Sequence, residues 1–120
     1  MPFDKTIGGE ERPWGYFHIL RDTPACKVKE IGVNPGHRLS YQYHHHRSEQ
    51  WLVVSGEGLM TLNGETSRVK AGEYIHIPKL ASHRIENDGH DELIFIEVQT
   101  GDYFGEDDIV RLSDDYDRLQ

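Results

Sequence analysis

The sequence predicts an all-β domain, either a sandwich or a closed barrel of short strands. Runs rich in β-branched and aromatic side chains recur between glycine, proline and asparagine turn signals. Helical periodicity is scarce, and short strands at this spacing are typical of sandwiches and barrels rather than of sheets alternating with helices. The length of 120 residues predicts one domain, residues 1–120.

The predicted strands follow one another along the chain, each bounded by a turn signal. The first two cover residues 16–20 and 27–33, and the second of them ends at Asn34-Pro35-Gly36, a strong turn sequence. The later strands cover residues 38–46, 51–54, 59–62, 74–77 and 93–99, of which the last is the most apolar run.

Two further local signals complete the predicted secondary structure. Asn63-Gly64 is the favoured two-residue pair of a tight hairpin. Residues 106–119 are predicted to form a short C-terminal helix, because apolar residues recur at intervals of three or four and acidic residues occupy its first turn. The apolar residues of this pattern are Ile109, Leu112, Tyr116 and Leu119.

The composition excludes several classes of partner. A formal net charge of −8 argues against nucleic acid, which requires a basic face, although a local cluster of cations could still bind an anionic small molecule. No stretch approaches the roughly 20 apolar residues that span a membrane, and the N-terminus lacks the apolar core of a signal peptide. Cys26 is the single cysteine, which fits a reducing cytoplasm.

The first of two chemically informative segments lies around three adjacent histidines, a pattern that by itself is more often a solvated loop than a metal site. Because side chains alternate along a strand, Gln42, His44 and His46 share one face. Glu49 would point to the opposite face if the strand continued straight, so a turn or bulge near residues 47–48 is needed to bring its side chain back to the face of His44.

The second segment, residues 72–87, contributes His83 from a distant strand, and a closed barrel is needed to bring it beside the first segment. Gln42, His44, Glu49 and His83 then offer an amide oxygen, two imidazoles and a carboxylate. Such mixed ligands suit zinc, manganese, iron, cobalt or nickel, with coordination positions left open for substrate or water.

These two segments resemble the paired motifs of the cupin superfamily, with every spacing matched. Gln42 stands where a histidine is usual and Leu80 where a glycine is usual. Mannose-6-phosphate isomerases share this glutamine, and the wider pattern resembles the type II mannose-6-phosphate isomerase cupin over residues 12–118. The matching stretches are residues 12–15, 39–51, 83–87, 97–101 and 105–111.

The resemblance implies a cupin (double-stranded β-helix, jelly-roll-like) barrel, a homodimer and one divalent ion, with zinc as the first candidate and manganese, cobalt, nickel or iron as alternatives. It also implies interconversion of mannose 6-phosphate and fructose 6-phosphate through an enediol. Such cupins are usually the C-terminal part of a bifunctional enzyme that also makes GDP-mannose, and 120 residues are too few to include that activity. Asp117 replaces the glycine usual in the family, which puts a role for Arg118 in doubt.

Two other functions stay open. The first is a non-catalytic, metal-containing cupin that binds sugar phosphates or sugar nucleotides. The second is an iron-dependent oxygenase, against which Gln42 counts, because such sites more often use three histidines or two histidines with a carboxylate.

Three residues are candidates for the chemistry beside the metal. His46 shares the strand face of His44, and Glu97 has the parity of an inward carboxylate whose burial would raise its pKa. A surface charge or a buried ion pair is an equal alternative for Glu97. Arg84 follows a ligand, although alternation would turn it towards a neighbouring loop.

The phosphate of the substrate requires cations. The candidates are Arg12, Lys29, Lys79 and Arg111, with Lys27 as a further possibility, although lone charges are usually solvated. Trp14 is interpreted as an anchor of the N-terminal segment or as a stacking platform for the sugar. Asp107 and Asp108 are interpreted as a helix cap rather than a second metal site.

Overall fold

Short runs of alternating inward and outward residues form a β-structure in the computed structural model, which describes residues 7–116. The strands are β1 (Gly8–Arg12), β2 (Gly15–Asp22), β3 (Lys27–Val33), β4 (Tyr41–His44), β5 (Arg47–Ser55), β6 (Glu57–Leu62), β7 (Glu65–Lys70), β8 (Tyr74–Ile77), β9 (His83–Glu86), β10 (Leu93–Gly101) and β11 (Ile109–Ser113), with a 3-10 turn at Glu106–Asp108.

The strands form two antiparallel sheets, which confirms the all-β prediction. The larger sheet has the order β1-β2-β3-β10-β5-β8, and the smaller sheet has the order β11-β4-β9-β6-β7. Consecutive strands of the chain often lie in different sheets, so residues distant in sequence meet between them. Among residues 7–116, no helix has the length and apolar content needed to cross a bilayer.

The interior changes from apolar to polar along β10, the strand between β3 and β5. Its inward residues are Leu93 and Phe95 at one end and Glu97 and Gln99 at the other, and all four are buried. The neighbouring strands change in the same direction, so the apolar end forms the core and the polar end faces the candidate site. The core includes Ile31, Val33, Trp51, Val53, Met60, Ile77, Ile85, Leu93 and Phe95.

The predicted hairpin is confirmed. Leu62 pairs with Glu65 at the ends of β6 and β7. Between them Asn63 has a φ of 50° and Gly64 a φ of 82°. Positive φ at both central positions is the geometry that favours the Asn-Gly pair in tight hairpins.

The strand predicted for residues 38–46 ends earlier, at His44, and β5 starts at Arg47. The bend between them lies at residues 45–46, slightly before the position predicted, and it moves the chain from the smaller sheet to the larger one. Because the bend resets the alternation, Glu49 returns to the interior as predicted, whereas His46 lies two residues beyond the end of β4, within the bend, and is exposed.

The predicted C-terminal helix is wrong over the described residues. A 3-10 turn of three residues precedes β11, which pairs with β4 through Ile109↔His44, Val110↔Tyr43 and Arg111↔Gln42. The β-branched residues at 109 and 110 suit a strand, and the backbone of β4 supplies hydrogen-bonding partners that no local pattern reveals. Leu119, Asp117 and Arg118 lie outside the described residues.

Candidate metal centre and cavity

Three predicted ligands converge between the two sheets. His44 comes from β4, Glu49 from β5 and His83 from β9, and their ligand atoms lie within 4.8 Å of one another. Glu49 Oε2 is 3.1 Å from His44 Nε2, and Glu49 Oε1 is 3.8 Å from His83 Nε2. All three side chains are buried. The two sheets therefore form a possible metal site with one carboxylate between two imidazoles.

The tautomers of the two histidines suit a metal. His44 Nδ1 lies 3.4 Å from the Asp108 carbonyl oxygen, and His83 Nδ1 lies 3.0 Å from the Ala81 carbonyl oxygen. Since a carbonyl oxygen can only accept, each Nδ1 carries a proton, and each Nε2 is the ring atom that faces Glu49 and is placed to bind a metal ion. Burial lowers the pKa of His83, which favours the neutral ring that ligates. This arrangement of donors fits a divalent transition-metal ion.

Two further side chains hold the carboxylate of Glu49. Arg47 Nε donates to Oε2 at 2.8 Å, and Trp51 Nε1 donates to Oε1 at 3.0 Å. Burial opposes the charge, but the contact with His44 and the charge of Arg47 outweigh it and hold the pKa of Glu49 well below its usual range. The carboxylate is therefore ionised and oriented as a metal ligand requires.

Gln42 lies beside this set. It pairs directly with His83 across β4 and β9, and its side chain lines the same cavity. Its amide nitrogen donates to Ser40 Oγ at 2.9 Å, so the amide oxygen is the atom available to a cation. This is the arrangement expected of a fourth ligand, and that role stays a prediction.

A cavity opens from the metal centre towards β1, β2 and β11. Its wall contains the cations Arg12, Lys29, Arg47 and Arg111 and the acids Glu49, Glu97 and Glu106, together with aromatic and aliphatic side chains. The remaining lining residues are Trp14, Phe17, Ile31, Leu39, Ser40, Gln42, Trp51, His83 and Ile109.

Three of the predicted phosphate-binding cations line this cavity. Lys29 is buried, donates to Glu106 Oε1 at 2.9 Å and lies 4.8 Å from the centre of the Phe17 ring. Arg12 lies 5.6 Å from the same ring, and Arg111 pairs with Gln42 across the two strands. The cations therefore line the same cavity as the metal ligands.

Glu97 points inward, as its parity predicted. It is 5% exposed, and Gln99 Nε2 donates to its Oε2 at 2.6 Å. Burial and the nearby charge of Glu49 together raise the pKa of Glu97 to about 8, although the charge of Lys29 opposes the shift. A buried carboxylate thus faces the cavity close to the metal ligands.

Three other predicted residues lie away from the cavity wall. His46 is 55% exposed and lies 3.5 Å from Asp102. Arg84 uses its guanidinium on the Leu39 carbonyl oxygen at 2.8 Å and on Ser113, which matches the neighbouring-loop alternative. Lys79 is exposed and does not line the cavity.

Two residues at the metal centre were not predicted from the sequence to act there. Arg47 could have been found, because it shares the parity of Glu49 and Trp51 on β5. Asp108 could not, because its carboxylate accepts the backbone N–H groups of His45 at 3.0 Å and His46 at 2.9 Å across a long sequence separation. Asp108 therefore holds the bend between β4 and β5 rather than capping a long helix.

Comparison with known proteins identifies the family of the chain. The family described as "Mannose-6-phosphate isomerase C-terminal" matches residues 6–114. The chain is 49% identical over 105 residues to mannose-1-phosphate guanylyltransferase 2 of Escherichia coli O157:H7, covering 88% of this chain and 22% of that protein. It is 46% identical over 107 residues to the alginate biosynthesis protein AlgA of Pseudomonas aeruginosa, covering 89% and 22%.

A solved structure supports the fold. A Klebsiella pneumoniae protein described by its double-stranded β-helix domain superposes with a TM-score of 0.69 at 26% identity, covering 73% of this chain and 77% of that chain. The chain spans about a fifth of the length of the two curated relatives. With its cupin fold and a family match from residue 6 to residue 114, this chain belongs to the family of mannose-6-phosphate isomerase C-terminal domains.

Proposed function

We propose that this domain is a metal-dependent aldose–ketose isomerase that interconverts mannose 6-phosphate and fructose 6-phosphate. The observation that carries the proposal is one cavity whose wall contains Glu49 and His83 of the three-residue metal site, the inward carboxylate of Glu97 and a group of cations. Each feature meets one requirement of the reaction. The metal site provides an electrophile for the carbonyl, Glu97 provides a base for the proton, and the cations provide a counter-charge for the phosphate.

The proposed metal is held by His44, Glu49 and His83, with Gln42 as the fourth ligand and zinc as the first candidate. When bound, such an ion supplies Lewis-acid polarisation of the substrate oxygens. The protein contributes the fixed geometry, since Arg47 and Trp51 orient the carboxylate and two backbone carbonyls orient the imidazoles.

Glu97 is the proposed base. Its carboxylate takes the proton from C2 of the aldose, the electrons of that C–H bond form the C1–C2 double bond, and O1 takes a proton from solvent water to give the enediol. The same carboxyl then returns the proton to C1 while O2 gives its proton back to solvent water and C2 becomes the ketone. The step needs no oxidant, and its support is the buried position of Glu97 in the cavity wall.

The phosphate is proposed to bind Arg12, Lys29 and Arg111. The lining carries four cations, these three and Arg47, against three acids, so the protein residues alone give it no excess of negative charge despite the net charge of −8 for the chain. A dianionic phosphate therefore gains attraction inside the cavity that the outer surface of the protein does not offer.

A second candidate function is binding of a sugar phosphate without turnover. It is favoured by the names of the curated relatives, which refer to guanylyltransferase activity and alginate biosynthesis, and by the short share of those proteins that the chain spans. A domain within a larger enzyme can act as a binding module as well as a catalyst.

A coupled assay distinguishes the two. Zinc-loaded protein, chelated protein and the His83→Ala variant are supplied with mannose 6-phosphate, and fructose 6-phosphate is measured. The isomerase proposal expects turnover by the loaded wild type alone. Binding of mannose 6-phosphate in calorimetry without turnover at full metal loading would support the binding module and reject the isomerase.

A further inference from the structure

Two hydrogen-bond donors buried in the cavity wall lack a partner in the part of the chain that the structure describes. Trp14 Nε1 and Arg47 Nη1 are each shielded from solvent and lack a hydrogen-bond partner among residues 7–116. Trp14 is 6% exposed and the side chain of Arg47 is 3% exposed. An unsatisfied buried donor costs about 1–3 kcal/mol, and folded proteins rarely leave one without a reason. Both residues line the cavity already described.

Trp14 is held by its backbone rather than by its indole N–H. It lies between β1 and β2, and its carbonyl oxygen accepts the N–H of Asn34 at 2.8 Å. The ring packs in the hydrophobic core, where a side chain without a polar atom could fill space equally well. The unused N–H is therefore the feature that packing does not explain.

Arg47 is held by two of its three nitrogen atoms. Nε donates to Glu49 at 2.8 Å, and Nη2 lies 3.5 Å from His44 Nε2. Since the guanidinium is planar and rigid, the hydrogen bond from Nε to Glu49 restricts the direction of Nη1 as well.

Both atoms can only donate, so the missing partners must be acceptors. Hydroxyl and phosphate oxygens of a sugar phosphate are acceptors of this kind. We propose that Trp14 and Arg47 are specificity-determining residues that donate hydrogen bonds to oxygens of the bound sugar phosphate, Arg47 at the end next to the metal ligands. The proposal rests on the proposed function for the class of ligand, but it does not require turnover.

The Trp14→Phe variant tests the indole donor, because it removes the N–H and keeps an aromatic ring. The probe is mannitol 1-phosphate, the reduced form of mannose 6-phosphate, which lacks the carbonyl needed for isomerisation. Calorimetry with zinc-loaded protein should show binding weakened about 5- to 30-fold, the loss expected for one buried hydrogen bond. Affinity equal to that of the wild type would overturn the role of Trp14.

Deoxy sugars separate a lost hydrogen bond from altered packing. The 3-deoxy and 4-deoxy analogues of mannose 6-phosphate each lack one hydroxyl group. Inorganic phosphate, which lacks the sugar altogether, is the third probe. If Trp14 bonds an oxygen, the wild type should discriminate against the probe lacking that oxygen, and Trp14→Phe should lose this discrimination. A uniform loss for every probe, phosphate included, is expected either of a bond to the phosphate or of altered packing. If a benzothienylalanine at position 14, which keeps the shape of the ring without the N–H, then binds every probe with the affinity of the wild type, Trp14 has a packing role and the proposal is rejected. If Trp14→Phe does not fold, benzothienylalanine at position 14, with sulfur in place of the N–H, provides the same comparison.

The Arg47→Lys variant tests the second donor, with Arg68→Lys as its control. Lysine keeps the positive charge and loses the fixed Nη1 donor, whereas Arg68 is exposed and pairs with Asp88 at 2.8 Å. Arg47→Lys should weaken mannitol 1-phosphate binding about tenfold at full zinc loading, with zinc affinity measured separately. Unchanged sugar binding in a zinc-saturated Arg47→Lys would reject the role of Arg47.

The outcomes for the two proposals are separable. If the wild type binds mannitol 1-phosphate but does not turn over mannose 6-phosphate, the isomerase proposal fails and the variants still decide the roles of Trp14 and Arg47. If the wild type turns over but both variants bind normally, only the present inference fails. Absence of binding to the zinc-loaded wild type would contradict both.

Discussion

At the scale of single residues, Asp108 controls the geometry of the metal centre from outside it. Its carboxylate is buried and accepts two backbone N–H groups in the bend at residues 45–46, and its carbonyl oxygen faces His44 Nδ1. Burial opposes its charge, but the two backbone hydrogen bonds hold the pKa of Asp108 below the usual range. One residue thus sets both the bend and the tautomer of a ligand.

Asp108→Asn should raise the zinc dissociation constant about 10- to 100-fold, the effect typical of residues that orient a metal ligand. Asparagine loses the charge and one of the two accepting oxygens. The measurement is competition with a chromophoric chelator. Asp107→Asn is the control, because the Asp107 carboxylate contacts the exposed Tyr103 hydroxyl instead. Equal zinc affinity in both variants would contradict the role of Asp108.

Glu49→Gln should destabilise the metal-free protein by about 3 kcal/mol, because it leaves the buried Arg47 without its nearest carboxylate. Urea denaturation with a chelator present measures this change. Asp88→Asn breaks an exposed pair with Arg68 and should change little. A Glu49→Gln variant as stable as the control would show that the Arg47–Glu49 pair does not stabilise the fold.

At the scale of elements, the turn between β8 and β9 contains a residue under backbone strain. Leu80 has a φ of 69°, is 59% exposed, and stands where related cupins usually have glycine. Its N–H donates to the His44 carbonyl oxygen at 2.9 Å. The departure noted in the sequence is therefore a leucine in a conformation that glycine adopts without strain.

Leu80→Gly should stabilise the protein by about 0.5 kcal/mol, since relief of the left-handed conformation slightly exceeds the added entropy of the unfolded chain. Leu112→Gly is the matched control: it is 50% exposed, lies in β11 and has no positive φ, so it should destabilise. Thermal unfolding of both variants checks the pair. Destabilisation of Leu80→Gly equal to that of the control would contradict the strain at position 80.

Strands and turns that are specified by residues close together in the sequence could be predicted, whereas those that depend on contacts with distant residues could not. The hairpin at Asn63-Gly64 and the strand β10 follow from turn chemistry and apolar content, which act over a few residues. β11 depends on pairing with β4, a contact across more than 60 residues, and its spacing of apolar residues fits a helix equally well. The position of the 45–46 bend likewise depends on Asp108, which is distant in sequence.

At the scale of the whole molecule, the site lies where the inward side chains of the strands change from apolar to charged. Inward positions of β3, β5 and β10 are apolar at one end and charged at the other. Parity indicated that Glu97 faces inward, whereas the inward position of Glu49 also required the predicted bend before β5. Parity could not give the distances among His44, Glu49 and His83, because these depend on how the two sheets approach each other.

A bound metal should link the two sheets, since β5 belongs to one and β4 and β9 to the other. Zinc at 100 times its dissociation constant should add about 2.7 kcal/mol to the free energy of unfolding. Thermal scans with and without zinc measure this effect. Magnesium at the same concentration should add little, because imidazole is a poor ligand for it. An equal shift in His83→Ala would place the zinc elsewhere.

The most direct test of the central claim is NMR of mannose 6-phosphate in D₂O with the zinc-loaded domain. The proposed proton transfer predicts conversion to fructose 6-phosphate with deuterium entering C1 or C2, and loss of both signals on chelation and in Glu97→Gln, which retains the metal ligands. A fully zinc-loaded wild type that neither converts the sugar nor exchanges its proton would contradict the assignment of this cavity as an isomerase site.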